Sequence, residues 1–258
     1  AKLDGPVALP PLDVEALLGG DGALRSVKVS GPDRLAATLT PKGSEIAFEA
    51  SAGNLALPLV PALALADFGM KGSATRQGMT VSEFDGRAFD GVIRGSARIR
   101  WGATWTAEGD VRATNVNAAV FAPTLVSDGK AEGRGTYSMS GRDPAKLYEG
   151  ARLEGSFKID KGVIGSIDLA RAIQTGGSQS GGRTQFGEMN AQGVYDKGAV
   201  QLRNITLTAG ALNAGASLDI SPEGALAGKV VADVRTPTQT LRATLNISGK
   251  LQEPQIRK

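Results

Sequence analysis

Apolar and polar residues alternate along the chain from about residue 92 onward, in runs separated by turns rich in Gly, Asp, Asn, Lys or Pro. In one run, Ile93 and Ile99 fall on one side of a strand while Arg94 and Arg98 fall on the other, because successive strand side chains point to opposite faces. The pattern therefore predicts consecutive strands that each have one apolar side. Large apolar positions on that side are Ile93, Ile99, Leu153, Phe157, Ile159, Leu212, Leu218, Val230, Val234, Leu245 and Ile247.

Turn sequences between the runs indicate an antiparallel meander. Gly adopts a positive φ without steric cost and Asp forms local hydrogen bonds, so Asp-Gly and Lys-Gly dipeptides favour turns. Gly109 and Asn204 lie inside runs, where we interpret them as bulges or bends that curve the sheet. The Asp-Gly dipeptides begin at Asp4, Asp21, Asp85, Asp90 and Asp128, and the Lys-Gly dipeptides begin at Lys42, Lys71, Lys161 and Lys197.

The first third of the chain follows the same pattern less regularly. We therefore divide the chain into a β-rich N-terminal part, residues 1–91, and a C-terminal β region, residues 92–258. Strands in the N-terminal part are predicted near Ala23–Val29, Leu35–Thr40, Ile46–Ala50 and Ala74–Val81.

Two short helices are predicted to interrupt the strands. The first, Leu12–Leu18, follows a pair of prolines and ends at two glycines. The second lies near residues 164–174, and the glycine-rich stretch Gly176–Gly182 ends it and forms a loop. Asp168 in this helix is expected to interact with the free amides of the first turn rather than to act in catalysis.

Composition limits the chemistry that the chain can perform. It contains no His and no Cys, which excludes Ser-His-Asp triads, thiol nucleophiles, disulfides and the common zinc sites. Pairs of carboxylates, Asp85 with Asp90 and Glu149 with Glu154, are interpreted as turn residues because glycines adjoin them. We therefore predict no enzymatic activity, no cofactor and no metal site.

The charge distribution argues against nucleic acid as a partner. The 29 basic and 26 acidic residues are spread along the chain and give a net charge of +3. Trp101 and Trp105, beside Arg98 and Arg100, come nearest to a stacking patch, and we interpret them as an edge of packed strand. The longest apolar stretch, Leu55–Leu65, contains two prolines and is shorter than the roughly 18 residues that span a bilayer.

The predicted fold is mainly β: an elongated, curved antiparallel sheet with two short helices. Its apolar sides could form an open groove, a partly closed barrel or the core of a sandwich, and alternation alone does not separate these. Two features favour a groove. Aromatic residues make up only 5% of the chain while it has 35 glycines, so the apolar sides offer little volume to fill a core, and few helices could cover them.

A block between Gly155 and Gly193 carries a resemblance to a known family. It reads Gly-Ser-Phe-Lys-Ile-Asp-Lys-Gly-Val-Ile-Gly-Ser-Ile-Asp-Leu, then a glycine-rich loop, then Thr-Gln-Phe-Gly from Thr184. This resembles the C-terminal region of the AsmA family, in which Gly-x-Ile-Asp-Leu starts a helix and Thr-x-Phe enters the next strand. The resemblance extends to Phe89–Gly95, Asp110–Gly141 and Ile247–Gln255.

The resemblance implies a periplasmic protein related to bridge-like lipid transfer proteins of the bacterial envelope. Its expected role is to bind or conduct lipid, phospholipid above all, between the inner and outer membranes, with the apolar positions named above facing the lipid. The chain begins at Ala1 without a leader pattern. We therefore expect a missing N-terminal segment that tethers the full-length protein to the inner membrane.

Two other classes of function stay open. The chain could be an assembly factor for outer-membrane proteins that pairs exposed sheet edges with client strands of envelope proteins. It could also be a secreted β-solenoid or adhesin, although the sequence has no fixed repeat period.

Overall fold

The computed structural model describes residues 11–57, 63–165, 167–177 and 181–258 of the chain. Within these ranges the chain forms a 16-stranded sheet in which each strand is hydrogen bonded to the next strand in sequence. The sheet is antiparallel and the protein is mainly β, which confirms the predicted fold class. The meander order also confirms that the turns join consecutive neighbours.

The strands vary from five to sixteen residues in length. Their bounds are β1 Asp13–Leu18, β2 Leu24–Ser30, β3 Ala36–Lys42, β4 Glu45–Leu57, β5 Leu63–Ala74, β6 Gly78–Ala88, β7 Gly91–Arg100, β8 Trp105–Asn117, β9 Val126–Gly141, β10 Arg152–Gly165, β11 Arg183–Asp196, β12 Ala199–Ala209, β13 Leu212–Ile220, β14 Leu226–Arg235, β15 Thr240–Lys250 and β16 Glu253–Arg257. Three helical segments accompany them: α1 Ala118–Phe121, a 3-10 helix Pro144–Gly150, and α2 Leu169–Thr175.

The chain divides into two compact units. Unit 1 comprises the described residues of Ala1–Ala88, Val92–Val111 and Tyr137–Ala151, and unit 2 comprises those of Phe89–Gly91, Arg112–Thr136 and Arg152–Lys258. The boundary that we predict between residues 91 and 92 separates two parts of the chain by the regularity of their alternation, and it stays a prediction.

The core of unit 2 lies on one side of its strands, beneath α2. Leu245 is fully buried there, and Ile159, Leu207 and Val230 are nearly so. Unit 1 buries fewer side chains; those of its β1–β6 segment are Phe48, Leu65, Val81 and Ala88.

Local sequence explains why α2 begins and ends where it does. The Asp168 side chain accepts a hydrogen bond of 2.9 Å from the Arg171 amide, which satisfies one of the free N–H groups of the first turn. Gly176 ends the helix in the left-handed conformation, with a φ of 67°, which costs Gly little. The structural role predicted for Asp168 is therefore confirmed.

Neither helix prediction is correct as made: the first segment is a strand, and the second helix starts later than predicted. Asp13–Leu18 is the strand β1, paired with β2, so the helix predicted at Leu12–Leu18 is wrong. Val14 and Ala16 alternate with Asp13 and Glu15, and an isolated helix of this length is not stable. The second helix starts at Leu169, directly after its capping residue Asp168. Residues 164 and 165, which we predict to be helical, are the last two residues of β10.

The strand predicted at Ala74–Val81 is also wrong, because the hairpin turn between β5 and β6 falls within it. The Thr75 hydroxyl accepts a hydrogen bond from the Gln77 amide at 3.2 Å, and the Thr75 amide donates to the Gly78 carbonyl at 2.8 Å. These bonds close the turn locally, as Ser and Thr side chains commonly do.

The dipeptide turns divide into two groups. The dipeptides at Asp21, Lys42, Asp90 and Lys197 lie at turns. Lys197 and Gly198 both have positive φ, the requirement of a two-residue type I′ hairpin. Four others lie inside strands, at Lys71, Asp85, Asp128 and Lys161, and Asp4-Gly5 lies outside the described residues.

One of the two predicted bulges is confirmed. The pairing of β12 with β13 shifts register between Leu202 and Ile205, and Asn204 has a φ of 50°. At Gly109 the requirement is a close approach of backbone, because an added Cβ would overlap the Ser96 carbonyl.

Candidate functional site

The strand register of unit 2 places apolar side chains of successive strands next to one another. Directly paired residues of antiparallel strands point to the same side of the sheet. Leu202 pairs with Leu218, Leu218 with Gly228, and Gly228 with Ile247. Adjacent rows on the same side, set by the same pairings, contain Leu153, Tyr195, Val200, Ile220, Leu226, Phe157, Ala191, Ile205, Ala216, Val230, Leu245, Ile159, Met189, Leu207, Ala214, Ala232, Ala243, Leu212, Val234 and Leu241. We call this side the apolar face of unit 2.

Every sequence-predicted position in unit 2 lies on this apolar face. These positions are Leu153, Phe157, Ile159, Leu212, Leu218, Val230, Val234, Leu245 and Ile247. The prediction omitted the residues that β12 contributes. Val200 and Leu202 are at even positions whereas Ile205 and Leu207 are at odd ones, because the bulge at Asn204 shifts the alternation by one residue. A parity switch around a predicted bulge is the signal that could have found them.

Helix α2 covers one end of the apolar face of unit 2. Its buried residues Leu169, Ala172 and Ile173 belong to the same apolar cluster as Leu245 and Val230, and it packs on β11, β14 and β15. The buried hydroxyl of Thr184 holds the start of the helix in place. It accepts from the Leu169 amide at 2.9 Å and donates to the Ile167 carbonyl at 2.8 Å.

The predicted positions of unit 2 differ in whether they belong to the buried cluster that contains α2. Ile159, Leu212, Val230 and Leu245 lie within the buried cluster, and Phe157, Val234 and Ile247 pack against it. Leu218 is half-buried, and Leu153 has 40% of its surface exposed. Leu153 and Leu218 therefore lie outside the cluster that contains α2, toward the opposite strand ends, whereas Ile220 and Leu226 in the row of Leu153 are buried.

Unit 1 has an apolar side of its own. Val27 pairs with Leu39, and Leu39 pairs with Phe48, so the three side chains lie on one side of the sheet. In the next row Ala50 pairs with Met70, and Met70 pairs with Phe84. The 3-10 helix of this unit contains no buried residue. We call this side the apolar face of unit 1.

The remaining predicted positions, Ile93 and Ile99, lie in β7 of unit 1. An added Cβ at Gly95 would lie 2.9 Å from Cε1 of Phe84, so Gly95 and Phe84 point to the same side. Ile93 and Ile99 share the parity of Gly95 and are both half-buried. They therefore belong to the apolar face of unit 1, as the alternation predicts.

Aromatic rings lie over glycines of neighbouring strands on these faces. At each of four glycines, an added Cβ would lie within 3 Å of an aromatic side-chain atom. An aromatic ring above a glycine in the adjacent strand restores the packing that the missing side chain would supply. This pairing explains how a sheet with few aromatic residues and many glycines packs. The pairs are Phe48 with Gly72, Phe84 with Gly95, Tyr137 with Gly109, and Phe186 with Gly162.

The opposite side of unit 1 carries a row of alternating charges. Glu49 pairs with Lys71, and Lys71 pairs with Glu83. The Lys71 ammonium lies 2.6 Å from the Glu83 carboxylate, and the hydrogen bond between them raises the pKa of Lys71 and lowers that of Glu83. Such exposed pairs contribute little stability, but they keep this side in water.

A similar ion pair lies on the opposite side of unit 2. The Lys158 ammonium lies 3.0 Å from both the Asp160 and the Glu188 carboxylates. The hydrogen bonds that Lys158 donates, first to Glu188 and then to Asp160, raise the pKa of Lys158, and the bond to Glu188 lowers the pKa of Glu188. Each unit thus has one apolar side and one charged side.

An ion-paired carboxylate marks an irregularity in β5. Asp67 has a φ of 48° where the pairing with β6 shifts register. Its carboxylate binds the guanidinium of Arg34 at 2.8 Å and also that of Arg87. The hydrogen bond from Arg34 and the charge of Arg87 lower the pKa of Asp67. These contacts offset the strain of a positive φ at a non-glycine residue.

Of the four carboxylates interpreted as turn residues, only Asp90 lies in a turn; the interpretation is wrong for Asp85 and Glu154, inside β6 and β10, and for Glu149, in the 3-10 helix. Asp90 has a φ of 60° in the turn before β7 and accepts a hydrogen bond of 3.0 Å from the Asn117 amide group. Asp85 pairs with Gly69 in the ladder between β5 and β6. Glu154 forms an ion pair of 3.4 Å with Arg152. Within the part of the chain that the structure describes, no group of three or more acidic side chains could hold a metal ion.

We compared the chain with protein-family models, curated proteins and solved structures. No family model, no curated protein and no solved structure matches the chain. Among the described residues, no helix has the length and apolar character needed to cross a membrane.

Proposed function

We propose that this chain is a non-enzymatic protein of the bacterial envelope that binds lipid along the apolar faces of its sheet. The carrying observation is the register of unit 2, which joins Leu202, Leu218 and Ile247 into one apolar row across successive strands. A site for acyl chains needs such a continuous apolar lining with charges kept on the other side. Phospholipid is the proposed ligand, and movement of phospholipid through the periplasm is the proposed role.

Strand dimensions are compatible with this ligand. Strands β10 and β11 have fourteen residues each, and at about 3.3 Å per residue such a strand is roughly 45 Å long. An extended acyl chain laid along or across several such strands contacts apolar side chains over its whole length. The resemblance of residues 155–193 to the AsmA family supports the same role and a periplasmic location.

Lipid extraction and native mass spectrometry of the purified chain test the proposal. We expect the chain to carry phospholipid that organic solvent removes, and we expect delipidated protein to bind a hydrophobic fluorescent probe. Replacing Leu218 by Asp should reduce the lipid recovered, whereas Lys229→Asp, on the charged side of β14, should leave it unchanged. Repeated recovery of lipid-free protein that binds no probe would contradict the proposal.

A second function is favoured by the edge of the sheet. All six residues of β1 are exposed, and Val14 and Leu17 each have 62% of their surface in water. Among the described strands β1 pairs only with β2, and such an edge strand can pair with an extended segment of another protein, as an assembly factor for outer-membrane proteins requires. Cross-linking from Leu17→Cys to envelope proteins, together with lipid-free recovery of the protein, would favour this function over lipid binding.

A further inference from the structure

Trp101, in the turn between β7 and β8, is hydrogen bonded to the turn between β5 and β6. The backbone amide of Trp101 donates to the Gln77 carbonyl at 3.1 Å, and its indole Nε1 donates to the Arg76 carbonyl at 2.7 Å. The polar atom of this indole is therefore satisfied by protein. The part of the ring that remains in water is apolar carbon.

A second tryptophan lies against the first. The ring centroids of Trp101 and Trp105 are 5.8 Å apart, with the planes inclined by 44°. Both side chains are only half-buried, and the three residues between them, Gly102 to Thr104, are exposed. The sequence-based interpretation as an edge of strand fits Trp105, the first residue of β8, whereas Trp101 follows β7 and its indole is bonded to the adjacent turn.

Exposed arginines lie at the same end of the strands as the two indoles. Arg76 is exposed in the turn between β5 and β6, and the side chains of Arg98 and Arg100 are 58% and 62% exposed. Glu108 lies 3.5 Å from Arg98 and 3.7 Å from Arg100. The arginines therefore outnumber the one neighbouring carboxylate. We call Arg76, Arg98, Arg100, Trp101 and Trp105 the tryptophan–arginine cluster.

Exposed aliphatic side chains lie at the same end of the strands. Ile46 is 44% exposed and pairs with Ala74, the last residue of β5 before the turn that contains Arg76. Successive antiparallel strands reverse direction, so the turn between β1 and β2 is at this end too. There Leu18 pairs with Leu24, and they are 59% and 43% exposed.

We propose that this end of unit 1 binds the surface of an anionic phospholipid bilayer through the tryptophan–arginine cluster. Indoles concentrate at the boundary between hydrocarbon and water, and each arginine near an anionic surface contributes to binding. This end of unit 1 has indoles and arginines together with exposed aliphatic residues. The proposal goes beyond binding of single lipid molecules on the apolar faces and stands on different residues.

Single-stranded nucleic acid is the other polyanion that tryptophan and arginine can bind, but the geometry favours a bilayer. A base stacks on an open, flat aromatic face, whereas these two rings are inclined against each other. Exposed aliphatic residues such as Ile46 gain nothing from contact with phosphates. They do gain from contact with the apolar part of a bilayer interface.

The chain contains only two tryptophans, so its intrinsic tryptophan fluorescence reports this cluster alone. We expect vesicles of phosphatidylcholine and phosphatidylglycerol to shift the emission to shorter wavelength, and brominated lipids to quench it. Vesicles of phosphatidylcholine alone should have a much weaker effect. Flotation of the protein with the anionic vesicles should accompany the shift, because flotation reports bilayer binding rather than extraction of single lipids.

Charge variants test the role of the arginines without disturbing Trp101. Arg76→Gln combined with Arg100→Gln should weaken vesicle binding by about five-fold per arginine. The control is Lys28→Gln combined with Arg94→Gln, which removes two exposed charges from the same unit outside the tryptophan–arginine cluster and should change binding less than two-fold. Added salt should weaken wild-type binding.

Three results would overturn the proposal. The first is a tryptophan emission that no vesicle changes, and the second is equal loss of binding in the cluster variant and the control. The third is an emission change with a single-stranded oligonucleotide but not with vesicles. None of these depends on whether lipid is extracted from the purified chain, so the proposal and the proposed function can fail separately.

Discussion

At the scale of single residues, glycines and aromatic rings act as partners across neighbouring strands. Gly162 lies beneath the ring of Phe186, and Gly95 lies beneath that of Phe84. The sequence shows the scarcity of aromatics and the abundance of glycine, and it predicts that side chains on the apolar sides are small. It cannot show which glycine lies under which ring, because that depends on a register fixed by distant strands.

Replacing Gly162 by Ala should destabilise unit 2. An added Cβ would lie 2.8 Å from Cε1 and Cε2 of Phe186, and the Phe186 ring is buried in the cluster under α2 and has little room to move. We expect a loss of about 1–3 kcal/mol in the free energy of unfolding, the usual cost of overpacking. Denaturant unfolding measures it.

Gly165→Ala is the matched control, since Gly165 is in the same strand and an added Cβ there meets no atom within 4 Å. It should change the free energy of unfolding by no more than about 0.5 kcal/mol. Equal losses in the two variants would show that the Phe186 ring is not what requires glycine at position 162.

Tyr137 should make the stability of unit 1 sensitive to alkaline pH. Its hydroxyl donates to the Ser96 carbonyl at 2.9 Å, and burial, with a smaller effect of the Asp110 charge, raises its pKa from 10.0 to about 12. Because folding raises this pKa, the contribution of Tyr137 is complete below pH 10 and is lost as the pH rises toward 12.

The variant Tyr137→Phe lacks both the hydrogen bond and the titration. At neutral pH it should be less stable than wild type by about 1 kcal/mol, the usual worth of such a bond. The difference between the two proteins should shrink between pH 10 and pH 12 when chemical unfolding is repeated across that range. A difference that stays constant would contradict the assignment.

At the scale of elements, α2 was predictable in its cap but not in its starting residue. Asp168 and the glycines after Thr175 mark the two ends of the helix correctly. Ile164 and Ile167 have a spacing that suits a helix, yet Ile164 pairs with Thr184 in the ladder between β10 and β11. Strand pairing with a partner about twenty residues away decided the conformation there, and local sequence does not contain that information.

Strand β1 illustrates the same limit. Asp13–Leu18 contains good helix formers, Glu, Ala and Leu, and two prolines precede it, which suggests a helix start. The pairing of Val14 with Val29 and of Ala16 with Val27 makes it a strand. The alternation of polar and apolar residues in Asp13–Ala16 correctly indicates a strand. It extends over too few residues to outweigh helix propensity in a prediction from sequence.

Removing the cap of α2 should weaken the cover over the apolar face of unit 2. Asp168→Ala loses the hydrogen bond to the Arg171 amide, and we expect a loss of about 1 kcal/mol in stability, with faster hydrogen exchange in α2. Asp168→Asn keeps an acceptor oxygen and should retain most of the stability. Hydrogen exchange in α2 that is the same in Asp168→Ala and wild type would show that the cap does not hold the helix.

At the scale of the whole chain, the sequence predicts a meander of antiparallel strands with one apolar side each, and the structure confirms it. Of the candidate site, the sequence correctly places every apolar position on an apolar face of its own unit. It does not reveal that Ile159, Leu212, Val230 and Leu245 are buried in one cluster with residues of α2, since this cluster joins the helix to strands far from it in the chain. Leu153 and Leu218, which lie outside that cluster, are therefore the best positions at which to test for a ligand.

Site-specific photo-cross-linking to radiolabelled phospholipid tests the central claim most directly. A photoreactive phenylalanine at Leu202 or Leu218, on the apolar face of unit 2, should cross-link to lipid when the protein is made in bacterial cells. The same residue at Ala227 or Lys229, exposed on the opposite side of β14, should not. Lipid cross-links at Leu202 and Leu218 alone are the predicted result. Absence of cross-links at both positions, or equal cross-linking at Lys229, would contradict lipid binding on the apolar face.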